Sequence, residues 1–85
     1  MLIQVTQAEL VGPHSLWLSF NDGMAKRENL RRWLNGPVFE PLRDPVAFAR
    51  FSLDGETVTW PDFDADMAPE FLHELEAEPE VSAAR

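Results

Sequence analysis

The stretch VTWPDFDADMAPEFLHE, residues 58–74, changes its period part-way along. Val58 and Trp60 alternate with Thr57 and Thr59, the two-residue repeat of a strand. Pro61 has no N–H for a ladder and ends that strand. Ala68, Phe71, Leu72 and Leu75 then fall at i, i+3, i+4 and i+7, one apolar helix face. A helix is expected from about Ala68 to about Ala77. Pro69 suits its first turn and Glu70 its positive end. If Ala68 is the cap, Met67 and Leu72 occupy the positions of a hydrophobic staple; Asp66 is the other cap candidate. The stretch therefore reads as a strand-to-helix joint. Trp60 packs into the core, Asp62, Asp64 and Asp66 stay wet, and the helix folds back.

Upstream, RFSLDGETVTW (50–60) is a hairpin with Asp54-Gly55 at its turn and Thr57–Trp60 returning. Asp44-Pro45 opens a helical turn, DPVAFAR, whereas PVFEPLRDP (37–45), with three prolines, reads as an irregular extended connection anchored by Phe39 and Leu42. In LRRWLNG (30–36), Leu30, Trp33 and Leu34 form a short helical stripe closed by Asn35-Gly36. Further upstream, SLWLSF (15–20) points Leu16, Leu18 and Phe20 to one face and Trp17 to the other, where another element covers it or it stands as a contact residue. Asn21-Asp22-Gly23 is a hairpin turn. MAKREN (24–29) is a poor strand former, but the turn before it needs a returning partner, so a short exposed strand is expected, with Lys26, Arg27, Arg31 and Arg32 on the wet side. LIQVTQAELV (2–11) is the first strand, broken by Gly12-Pro13.

These elements predict an α+β fold: antiparallel β-hairpins forming a small sheet, with a short middle helix and a C-terminal helix packed on it. Residues 1–76 form a single domain, and 77–85 a flexible acidic tail after Pro79. The expected core is Leu16, Leu18, Phe20, Phe48, Phe51, Val58, Trp60, Phe71 and Leu72. A chain of 85 residues buries only about 60–65% of its unfolded surface, so its stability should be modest.

The net charge is −8, and its distribution is uneven. From Phe51 to Ala84 there is no Lys or Arg, while Asp54, Glu56, Asp62, Asp64, Asp66, Glu70, Glu74, Glu76, Glu78 and Glu80 all fall there. Such a surface repels phosphate backbones and disfavours direct nucleic-acid binding. It reads either as a solvated face that maintains solubility or as a contact for a basic partner. There is no Cys, which excludes disulfides, thiolate nucleophiles and Cys-based zinc sites. The N-terminus has neither a basic region nor a long apolar run, and no apolar run approaches the ~20 residues of a membrane helix. A cytoplasmic location, without membrane contact, is the corresponding expectation.

Few residues suggest chemistry. Asp62-x-Asp64-x-Asp66 resembles the first ligands of an EF-hand loop, but Met67 stands where the loop needs Gly and His73 where it needs a bidentate Glu. His14 and His73 are the only imidazoles, too few for a zinc site without Cys. No G-x-S-x-G, P-loop, dinucleotide fingerprint or H-E-x-x-H occurs. Neither catalysis nor a cofactor or metal is expected.

SFNDG (19–23), FEPLRDPVAFARF (39–51) and VTWPDFDADMAPEFLHE (58–74) together resemble the domain of unknown function 2442 family, across residues 2–76. Members typically carry Trp-Pro-Asn-Gly after the last strand; this chain has Trp60-Pro61-Asp62-Phe63 and lacks that turn. The resemblance implies a compact α+β domain with antiparallel strands and a C-terminal helix. It also implies an antitoxin-like protein paired with a small neighbour-encoded protein of another uncharacterised family (domain of unknown function 4160). The helix-turn-helix that some relatives add is not expected here, and the family supplies no catalytic residue to carry over.

The expected function is thus a non-catalytic partner-binding protein, antitoxin-like, that masks a small basic protein. The contact should centre on Glu70, Glu74 and Glu78. One alternative is a metal-dependent or enzymatic domain using Asp62, Asp64 and Asp66. Another is a DNA-binding adaptor that uses Lys26, Arg27, Arg31 and Arg32 and relies on a partner for the main reading head.

Overall fold

The computed structural model describes residues 2–76. Strands β1 (Val5–Leu10), β2 (Ser15–Phe20) and β3 (Ala25–Asn29) form one antiparallel meander. Strands β4 (Ser52–Leu53), β5 (Val58–Trp60) and β6 (Ala65–Asp66) form a second. The single-turn helices α1 (Gly36–Phe39) and α2 (Pro45–Phe48) lie between the two sheets in sequence, and α3 (Pro69–Glu74) follows the second. The fold is α+β, with the hairpins in two small sheets joined by a 2.8 Å hydrogen bond from the Val5 N–H to the Glu56 carbonyl. No helix among the described residues is long and apolar enough to cross a membrane.

Both hairpin turns form as their Asp-Gly pairs predict. Asp22 Oδ1 accepts from the Met24 N–H at 3.0 Å, and Gly23 takes φ +92°. Asp54 Oδ1 accepts from the N–H groups of Glu56 and Thr57, both at 3.0 Å, and Gly55 takes φ +99°. These side chains stand in for backbone partners that a tight turn leaves unsatisfied. In β1 the register shifts between Val5, opposite Phe20, and Gln7, opposite Ser19. Thr6 is the extra residue of a bulge, so Val5 and Ala8 share the inner face although they are three apart.

One core cluster draws on both sheets, the middle helical turns and α3: Val5, Leu16, Leu18, Phe20, Leu30, Leu34, Leu42, Phe48, Val58, Trp60, Met67 and Leu72. Trp60 is fully buried. Its Nε1–H donates to the Phe48 carbonyl at 2.8 Å, and its ring leans on the Phe48 ring at 5.4 Å. Phe51 is half-buried against this cluster.

Several expectations are corrected. Phe71 does not join the core; it is 36% exposed. Helix α3 has only six residues, too short to turn its whole stripe inward, and Leu72 occupies the buried position while Phe71 leans edge-on against Trp33 at 5.4 Å. The connection 37–45 is not extended. It winds through α1, a 3-10 turn (Glu40–Arg43) and α2. Pro37, Pro41 and Pro45 each sit at the start of a turn, where a missing N–H costs nothing. The stripe at 30–36 yields a single 3-10 turn, Arg31–Trp33. Helix α3 ends at Glu74 rather than near Ala77. Lys26 is not on the wet side; it is 8% exposed. The tail 77–85 and Glu78 lie outside the described residues.

Candidate functional site

Glu70 and Glu74 stand exposed on α3, one turn apart. Asp62, Asp64 and Asp66 precede them, also exposed. Pro61–Phe63 forms a 3-10 turn, and Asp64 then takes the left-handed conformation at φ +53°. Aspartate tolerates that conformation better than most residues. Chain reversal through Asp64 lets β6 pair back on β5, a third strand that the alternation pattern did not reveal. Asp62 Oδ2 already meets the Arg50 guanidinium at 2.8 Å. Among the described residues no group of three or more His, Asp or Glu is arranged to hold a metal ion.

The C-terminal end of α3 is held by an internal charge network. Lys26 Nζ lies 3.0 Å from Glu28 Oε2 and donates to the carbonyls of His73 (2.9 Å) and Leu75. A cation at the negative end of a helix, bonded to its last free carbonyls, is favourable. Lys26 and Glu28 are the inward residues of β3, opposite Leu18 and Leu16 on β2. They are polar residues in a buried position, compensated by one another and by backbone. The His73 ring stacks edge-on over Phe20 at 5.0 Å, and its Nε2 meets Asp22 Oδ2 at 2.8 Å. The Met24 N–H, and after it the His73 ring, hold the Asp22 carboxyl below its usual range. His14 is placed apart, with Nε2 2.7 Å from the Arg43 carbonyl and its ring against Phe48. The two imidazoles are engaged separately in structural contacts.

Beside the exposed carboxylates lies a groove of about 240 Å³ lined by Trp33, Phe39, Asp66, Met67, Ala68 and Phe71. It forms where the 3-10 turn at 31–33 and α1 meet the start of α3. Trp33 is 36% exposed, and the Arg32 guanidinium lies over its ring, 5.0 Å from the centroid. Sequence periodicity missed this groove because it assigns both Trp33 and Phe71 to apolar stripes. The available signal was that each is the bulkiest member of a stripe too short to bury all of its members. On the outer face of the first sheet, Trp17 is 42% exposed and borders a separate depression of about 380 Å³ with Thr6, Gln7, Ala8, Glu9 and Leu53. Of the two expectations for Trp17, exposure is the outcome. The basic residues do not form one patch: Lys26 is buried, whereas Arg27, Arg31 and Arg32 are exposed.

The family model described as "Protein of unknown function (DUF2442)" matches residues 5–78. The chain belongs to this family. No curated protein and no solved structure matches it. The DUF2442 match spans both sheets and α3, so the joint at 58–74 and the groove both lie within the family domain.

Proposed function

We propose that this DUF2442 protein is a non-catalytic partner-binding protein, antitoxin-like, whose acidic C-terminal face masks a small basic protein. The supporting observation is that Glu70 and Glu74 project from α3 while Lys26, the cation that reaches this helix, has its charge taken up by Glu28 and by backbone carbonyls. The exposed carboxylates thus offer a cationic partner an anionic surface with little local repulsion.

Co-expression with the product of the neighbouring gene should give a complex that dissociates as salt rises. Reversing Glu70, Glu74 and Glu78 to Lys should slow association and flatten its salt dependence. Absence of any complex at low salt and micromolar concentration would overturn the proposal. Loss of binding on reversal of Arg31 and Arg32 alone would place the contact on the opposite charge.

A further inference from the structure

We infer that the groove beside the Trp33–Phe71 ring contact receives one bulky apolar side chain of a partner protein segment, with an adjacent Lys or Arg of that segment directed to Asp66 and Glu70. This deepens, and rests on, the partner-binding reading above. The size of the groove sets the scale of its occupant. At about 240 Å³ it falls below the ~300–1,000 Å³ typical of small-molecule sites, and it suits a single side chain. Its walls are aromatic and aliphatic on three sides: Trp33, Phe39, and Met67 with Phe71. Charge selects the occupant's neighbours. Asp66 lines the groove and Glu70 immediately precedes Phe71 on the exposed helix. Arg32 lies over the Trp33 ring and is not part of the groove lining. A cation on the incoming segment therefore meets attraction from Asp66 in the groove lining and from Glu70 beside Phe71.

Exposed aromatic pairs of this kind, set in a concavity and rimmed by charge, are how interfaces concentrate affinity in few residues. The acidic face alone would accelerate encounter without selecting among basic partners. The groove adds selection, because burying one large apolar side chain corresponds to about a ten- to hundredfold gain in affinity.

The test uses two fluorescein-labelled peptides of equal length and charge, one built from Lys and Ser only, the other with a single central Phe. Titration into the intact protein at low salt should show the Phe peptide binding at least about tenfold tighter. That advantage should vanish in Phe71→Ala and in Trp33→Ala. The three Trp indole N–H resonances report location: Trp33 should move, Trp17 should not, and an unshifted Trp60 in each variant shows that the core is intact. Equal affinity for the two peptides, lost only on reversal of Glu70 and Glu74, would overturn the groove while leaving the acidic-face reading standing. Movement of Trp17 in place of Trp33 would overturn it in favour of the sheet face. Failure of both peptides to bind would also overturn it, and the acidic-face reading would fall with it only if the co-expression experiment failed too.

Discussion

Trp60 and Phe71 are both aromatic residues of the 58–74 stretch, but their environments separate them. Trp60 fills the core and satisfies the Phe48 carbonyl. Trp60→Phe should cost about 1–3 kcal/mol, since it leaves that carbonyl buried without its donor. Phe71→Ala should cost only about 1–2 kcal/mol, well below the 3–5 of a fully buried phenylalanine, because the loss is mainly the edge contact to Trp33. Chemical denaturation with an unchanged slope would measure both, and a loss for Phe71→Ala in the range of about 3–5 kcal/mol would contradict its half-exposed placement. Lys26 is a different case. Its removal, as in Lys26→Met, takes the ammonium from the buried Glu28 and from the end of α3, and should cost about 3–5 kcal/mol. Adding Glu28→Leu should recover part of that loss, and a double-mutant cycle would show the coupling.

At the level of elements, the first hairpin turn and α3 are joined through Asp22 and His73. The Asp22 carboxyl has its folded value lowered below the ordinary 3.8, first by the Met24 N–H and then by His73. Its contribution to stability is therefore complete above that ordinary value and is lost as pH falls through the lowered folded value. Asp54 behaves alike at the second turn, held down by the N–H groups of Glu56 and Thr57. Asp22→Asn should be less stable than the parent near neutrality, and the gap should close as pH falls through and below the ordinary carboxylate value of 3.8. Thermal melts across that value would show it; a gap independent of pH would mean that the carboxylate's charge contributes nothing. Helix α3 itself is held less by propensity than by this anchoring, because six residues are too few for a stable isolated helix.

Across the whole molecule, excess negative charge is concentrated after residue 51, and it tempts a metal-binding reading of Asp62, Asp64 and Asp66. The geometry gives no support to that reading among the described residues, and Asp62 is already paired with Arg50. Millimolar calcium or magnesium should therefore leave the melting temperature unmoved. A site filled at a hundred times its dissociation constant would stabilise the fold by ~2.7 kcal/mol. A clear rise would restore the metal reading.

Local chemistry in the sequence determined the turns, the inward faces of β2 and β5, the Pro61 exit and the α+β class. Each follows from short-range rules: Asp-Gly turn geometry, two-residue alternation, and proline's missing donor. Even β1 is legible once the bulge at Thr6 is known, since Val5 and Ala8 fall on one face only if a residue is inserted between them. Only tertiary structure decided which members of short apolar stripes were buried. Leu30, Leu34 and Leu72 went inside, and Trp33 and Phe71 were left to shape the groove. Periodicity names a face, but a helix of one or two turns has too few neighbours to cover all of it. Tertiary contact likewise put Lys26 inside, because the carbonyls that receive its ammonium belong to residues 73 and 75, far along the chain and invisible to any local pattern.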